Sequence, residues 1–389
     1  MTPAARIAAA IDILDRVLAG TPAEQALTQW ARRSRFAGSG DRAAIRDHVF
    51  DALRCKLSFA ALGGAMTGRG LMIGSVRARN ENPDMVFTGD RYGAPPLSAD
   101  EKSAGRDPET DSERMNLPDW LVPVFRVSLQ EAAEQTAKAL CQRAPVMLRV
   151  NLRAAQVGDA IAALAQDGIT AVAHPVADTA LTVTVGARRV RSSAAFTEGI
   201  VELQDGASQA VVAALPLRDG LKTLDFCAGG GGKTLAMAGR ARINAFAYDA
   251  STARMQDLPL RAARADIQVR ILQKDELATN GPYDIVLCDV PCSGSGAWRR
   301  SPDGKWALTP EKLNDLNAIQ DEILDEAARL VTPDGTLAYA TCSVLACENG
   351  DRVQAFLKRH PNWACCTEIV LALSDGGDGF YTAHLTRVH

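Results

Sequence analysis

"KTLDFCAGGGGKT" (222–234) reads as a short apolar strand, four consecutive glycines and the start of a helix. Glycine backbones let a ligand approach the helix N-terminus closely, where unpaired N–H groups point outward. Two standard phosphate-loop patterns almost fit, and both fail. The G-x-x-x-x-G-K-[ST] rule matches at Gly232, Lys233 and Thr234, but its first glycine falls on Cys227. The G-x-G-x-x-G rule, counted from Gly229, ends on Thr234. The loop is therefore expected to hold a nucleotide-like ligand in some other way.

Downstream, "INAFAYD", "IQVRIL", "DIVLCD" and "GTLAYAT" are strand candidates. Helices near 232–241, 251–264, 310–331 and 348–359 fall between most of them. This alternation predicts a parallel, doubly wound sheet over 201–389, with "GFYTAHLTRV" as an added edge strand. Such sheets bind ligands beyond the carboxyl ends of their strands. Asp249 ends the second strand, where an acid suits ribose hydroxyls, and Asp275 follows the third, near where an adenine would lie.

Upstream, Ile7, Ile11, Leu14 and Leu18 share a helical face, as do Ile45, Val49 and Leu53, so 1–75 is expected to be an all-α domain. Arg32, Arg33 and Arg35 sit together there as a candidate phosphate-binding patch. Residues 76–115, rich in Gly, Pro, Asp and Glu, read as a polar linker or excursion. Residues 116–200 restart with helices. They then give a small α/β module from "PVMLRVNLR", a helix over 154–166, and strands at "GITAVAH" and "TALTVTVG".

Composition narrows the class. With 47% hydrophobic and 23% charged residues among 389, the chain is an ordinary globular protein of two or three domains. A net charge of −3 gives no global basic field, so a nucleic-acid partner would rest on local patches. The apolar runs fall short of the roughly 20 residues of a membrane span. Asp12, Asp15 and Arg16 make the N-terminus an amphipathic helix rather than a signal peptide. Nine cysteines without a secretory signal suggest reduced thiols, and a cytoplasmic monomer is expected.

Two of those cysteines end strands: Cys292 in "LCDVPCSGSG" (287–296) and Cys342 in "LAYATCSVL" (337–345). A metal site pairing Cys288 with Cys292 and Cys342 with Cys347 has loose spacings and no nearby histidine, so no metal is expected. Cys55, Cys141, Cys288, Cys365 and Cys366 read as core filler, and Cys347 as a bystander. In "WRRSPDGKW" (298–306), Arg299, Arg300 and Lys305 are candidates for phosphates, and Trp298 or Trp306 for stacking on a base.

"LDFCAGGGGKT", "DVPCSGSG", "RRSPDGKW" and "YATCSVLACEN" together resemble the RsmB/Nol/Nop/Sun family of RNA cytosine-5 methyltransferases. "SRFAGSGDRAAIRDHVFDALR" resembles the NusB-like RNA-binding domain of its bacterial RsmB branch. The resemblance implies a Rossmann-like, S-adenosylmethionine-dependent methyltransferase domain behind a NusB-like all-α domain and a small α/β linking module. It implies a substrate cytosine in 16S ribosomal RNA, with transfer RNA as the alternative. It further implies that Cys227, Ala228, Gly229, Gly230, Gly231, Gly232 and Lys233 cradle the methionine moiety. Asp249 would hold the ribose, Asp275 would lie at the adenine and Asp289 beside the reacting groups. Cys342 would be the nucleophile and Cys292 the residue that assists release; spacing alone leaves either cysteine as the attacker. Gly229 and Gly230 depart from the family's usual Ala-Pro, which predicts a looser loop and weaker cofactor binding. Two rival readings are a P-loop NTPase, opposed by Cys227 and by the unexplained second cysteine strand, and an inactive RNA-binding assembly factor.

Overall fold

The computed structural model describes residues 1–374 and 376–388. They form two compact units: Met1–Arg143 with Trp298–Leu308, and Ala144–Ala297 with Thr309–His389.

The first unit is helical. Helices Pro3–Leu18, Ala23–Arg33, Ser39–Arg54 and Gly68–Ala78 bury one apolar core that includes Ile13, Leu14, Ile45, Val49, Leu53 and Leu71. The polar stretch 76–115 folds back on this core, burying Phe87 and Leu97. Capping boxes at Ser98/Glu101 and Thr110/Glu113 start its two short helices.

The second unit contains two sheets. Strands β1 (Val146–Val150), β2 (Thr170–Ala173), β3 (Ala180–Val185) and β4 (Val201–Leu203) pair antiparallel in the order β2-β3-β1-β4. The fourth of these begins where the sequence suggested the next domain.

The larger sheet takes β5 (Lys222–Asp225), β6 (Asn244–Ala247), β7 (Val269–Ile271), β8 (Tyr283–Asp289), β9 (Val331–Thr341), β10 (Trp363–Leu371) and β11 (Phe380–Arg387). Its order is β10-β11-β9-β8-β5-β6-β7, with β5 to β9 parallel and β10 and β11 antiparallel. All five expected strands are present. Leu224, Val286, Leu287 and Leu337 are fully buried in it, each contributing on the order of 2 kcal/mol.

Two expectations need correction. The strand at "GFYTAHLTRV" lies inside the sheet, and the edge is β10, "WACCTEIVL". That strand alternates in burial, but Ala364, Cys366 and Val370 on its outer face are apolar too, so hydropathy shows no contrast. The helix expected over 251–264 is a 3₁₀ turn, Thr252–Met255, followed by a helix Leu258–Arg264. Pro259 lacks an N–H and is tolerated only in a first turn, so the helix restarts there.

Candidate active site

The chain runs from β5 outward to β6 and β7, then crosses back to β8 and β9 on the other side of β5. The reversal between β5 and β8 is the topological switch point of the sheet, where ligand crevices form. The loop after β5 opens directly onto it.

That loop is tightly specified. Gly229 and Gly231 have φ of +50° and +77°, which L side chains resist. A Cβ on Gly231 would also lie 2.2 Å from Leu258. The Gly229 N–H donates to Asp249 at 2.9 Å, and the other Asp249 oxygen accepts the Ser251 N–H at 2.9 Å. Arg261 donates to the Gly230 carbonyl, and buried Arg149 on β1 donates to the Gly232 carbonyl at 2.8 Å. The first N–H groups of helix Gly232–Arg240 keep no partner within the helix. The loop thus presents its carbonyls to protein cations and its helix end to the crevice.

Lys233, second in that helix, is buried and reaches Asp289 at the end of β8, with Nζ to Oδ2 at 2.6 Å. Burial pulls the Lys233 pKa down, but the Asp289 charge and hydrogen bond, with Cys342 and Asp225 beyond them, together raise it. Asp225, ending β5, is buried and accepts the Thr234 hydroxyl at 2.7 Å. Burial, assisted by the Asp289 charge, pushes its carboxyl up to about 7.

The two cysteines meet because β8 and β9 are adjacent and parallel. Asp289 stands in register with Ala340, so the chain delivers Cys292 and Cys342 at neighbouring strand ends. Their sulfurs are 3.4 Å apart. The bond to Cys342, then burial, then the Cys342 and Glu348 charges hold the Cys292 thiol well above its ordinary range. Cys288 is fully buried within β8, and burial raises its thiol as well.

The structure gathers Cys227–Lys233, Asp249, Asp289, Cys292 and Cys342 around the carboxyl ends of β5, β6, β8 and β9. Asp275 lies beyond β7, exposed at the start of helix Glu276–Thr279 and not bonded to this group. Sequence reading missed Asp225, although an acid at the strand end before the loop was a usable signal. It also missed Glu348, Ser293 and Ser343, whose bonds to one another have no local signature.

The cations of 298–308 need correction. Trp298, Arg299 and Lys305 are 2%, 4% and 1% exposed, too buried to meet phosphates or a base from the surface. They belong to the helical unit, where helix Ser39–Arg54 ends in carbonyls without partners inside the helix. Trp306 Nε1 donates to the Leu53 carbonyl at 2.7 Å and Lys305 Nζ to the Arg54 carbonyl at 3.1 Å, while Arg54 donates to the Arg299 carbonyl at 2.7 Å. Burial lowers the Lys305 pKa to about 8. Arg300 and the cluster Arg32, Arg33 and Arg35 are exposed. Among the described residues, no group of three or more His, Cys, Asp or Glu side chains could hold a metal, and no helix is long and apolar enough to cross a membrane.

Fold and site together define a Rossmann-like methyltransferase. The crystal structure of PH0851 aligns over 100% of this chain and 99% of its own, with a TM-score of 0.74 at 23% identity. That of NSun6 from Pyrococcus horikoshii with SFG aligns over 70% and 98%, with a TM-score of 0.61 at 17% identity. In sequence, residues 212–386 match the 16S rRNA methyltransferase RsmB/F family and residues 117–188 match the ferredoxin-like domain of RsmF/B-like methyltransferases. Ribosomal RNA small subunit methyltransferase B of Vibrio cholerae is 32% identical over 72% of this chain and 67% of its own length. That of Erwinia tasmaniensis is 34% identical over 69% and 66%. The chain belongs to the RsmB/F family of 16S rRNA methyltransferases. It spans about two thirds of the length of the curated relatives it matches.

Proposed function

We propose that this chain transfers a methyl group from S-adenosylmethionine to carbon 5 of a cytosine in small-subunit ribosomal RNA, through a covalent adduct on Cys342. The observation that carries this reading is the pair of thiols 3.4 Å apart at the ends of adjacent strands, in the crevice the glycine loop opens on.

The residues present fit the cofactor. The glycine loop offers open backbone at a helix N-terminus, and Asp249 is held at its edge. Cys227 to Lys233 would hold the methionine portion, Asp249 the ribose and Asp275 the adenine side. Bound there, S-adenosylmethionine supplies an electrophilic methyl group on a sulfonium.

Carbon 5 of cytosine is a weak nucleophile, and thiolate addition at carbon 6 activates it. The Cys342 sulfur bonds to carbon 6, and the displaced π electrons make carbon 5 an enamine nucleophile. A carboxylate accepts protons rather than giving them, so a proton shared with ring nitrogen 3 comes through the Lys233–Asp289 pair. After methylation a base takes the carbon-5 proton, its C–H electron pair drives return of the C5=C6 bond as the Cys342 thiolate leaves carbon 6, and the proton shared with nitrogen 3 goes back to the Lys233–Asp289 pair. Cys292, beside Cys342 and holding its own proton, serves this release. A base in a duplex is hidden from such a site, so the target is an unpaired or flipped cytosine.

The test uses two variants and purified small-subunit RNA. Cys342→Ala abolishes turnover and forms no adduct. Cys292→Ala accumulates a covalent protein–RNA species visible as a slow-migrating band. An adduct in the Cys342 variant reverses the roles. Bisulfite sequencing of RNA from cells with and without the gene identifies the target; a change confined to transfer RNA overturns the ribosomal assignment.

A further inference from the structure

Glu348 is fully buried six residues after Cys342, and no cation pairs with it among the described residues. A carboxylate in that position is costly unless hydrogen bonds replace its water. Four donors do so. Its Oε1 accepts the Ser293 N–H at 2.7 Å and Gln320 Nε2 at 3.1 Å; its Oε2 accepts the hydroxyls of Ser293 and Ser343, each at 2.5 Å.

The donors identify the purpose. Ser293 directly follows Cys292, and Ser343 directly follows Cys342. One buried carboxylate therefore ties together the two turns that carry the thiols. Further bonds cross between the same turns: Ser295 Oγ lies 2.9 Å from Ser343 Oγ and accepts the Val344 N–H at 2.9 Å, and the Gly296 N–H donates to the Cys342 carbonyl at 3.0 Å. Gln320 also donates to the Pro291 carbonyl at 2.9 Å, anchoring the first turn from a helix behind it.

We propose that Glu348 is a positioning residue for both thiols, fixing their separation through Ser293 and Ser343 and holding Cys292 against Cys342. The groups that face Cys292 are Cys342, the Glu348 carboxylate, the Tyr339 phenol and the Gly294 backbone N–H. Behind the Cys342 bond and burial, the Glu348 carboxylate adds to what opposes ionisation of Cys292. The Lys233 ammonium acts from the Cys342 side instead. The inference rests on the reading of the two thiols as the reacting pair.

The test reads the thiols directly, without RNA. The full-length chain and its Glu348→Gln variant are alkylated with iodoacetamide across a pH series, and the Cys292 and Cys342 peptides are resolved by mass spectrometry. Glutamine keeps the shape of the side chain but removes the charge. The Cys292 reaction midpoint is expected to fall in E348Q and to return toward the parent in Glu348→Asp. Single-turnover methylation in E348Q falls at least tenfold, while the RNA concentration that half-saturates it is unchanged. A folded E348Q whose Cys292 profile matches the parent overturns the proposal. Should E348Q not fold, Ser343→Ala removes one tie and leaves the charge. It is expected to slow turnover while the Cys292 midpoint stays fixed, and unchanged turnover counts against the tie. If the parent methylates no RNA, the proposed function fails while the alkylation profiles still decide the role of Glu348.

Discussion

The Lys233 ammonium lies 2.6 Å from the Asp289 carboxylate, joining the first turn of the helix after the glycine loop to the strand end that leads into Cys292. The proposed cofactor loop and the proposed proton path are thus one connected group. Breaking the pair from either side should slow addition at carbon 6. In a Cys292→Ala background, Asp289→Asn and Lys233→Met are each expected to slow accumulation of the covalent RNA species by about 10²–10⁴. Single-turnover gels read this directly, and an adduct forming at the parent rate in either variant removes the pair from the mechanism.

Asp225 makes stability fall with pH. Its carboxyl is held at about 7 against an ordinary 3.8, so the folded state keeps a proton that the unfolded chain has released between those values. Stability therefore declines as pH rises from about 4 to 7. Asparagine can still accept the Thr234 hydroxyl and does not titrate. Asp225→Asn is expected to melt higher than the parent at pH 8, with the gap shrinking toward pH 5. Calorimetry at the two pH values checks it; parallel shifts would show that Asp225 does not titrate in this window.

The glycine loop should respond differently at neighbouring positions. Gly231→Ala forces a left-handed alanine, costing roughly 1–2 kcal/mol, and drives its Cβ into Leu258. It is expected to lower the melting temperature and abolish cofactor binding. Gly230 is not in the left-handed region, and a Cβ there meets only the end of the Arg261 side chain. Gly230→Pro is expected to tighten S-adenosylmethionine binding about twofold to fivefold by stiffening the loop. Titration calorimetry measures both; unchanged affinity in Gly230→Pro would mean that the second glycine does not loosen the loop.

Burial separates the cations offered for RNA. Replacing exposed Arg32, Arg33 and Arg35 together by glutamine is expected to weaken RNA binding and flatten its dependence on log salt by about two to three. Lys305→Met, at a site buried against the end of helix Ser39–Arg54, should leave the salt dependence unchanged. Filter binding at several salt concentrations distinguishes them, and the opposite ordering would return Lys305 to the RNA surface.

Local patterning accounts for much of what the sequence revealed. The strand–glycine–helix stretch at 222–234, the alternation after it and the acids at strand ends all follow from short-range rules, and the five parallel strands stand where those rules put them. The cysteine motifs were legible for the same reason, since each ends its own strand. Edge strand β10 was not, because its two faces differ in burial but little in hydropathy. Nor was the fate of Lys305, whose charge suggested solvent until the end of a helix some 250 residues earlier claimed it.

Sequence by itself determined the class of fold and the family, because those depend on local period and on motifs that need no partner. Tertiary structure alone decided that β8 and β9 are neighbours in a register bringing two sulfurs within 3.4 Å, and that one buried carboxylate serves both of their turns. The order of strands in a sheet and the burial of a charge are set by contacts between distant segments, and nothing in either segment alone records them.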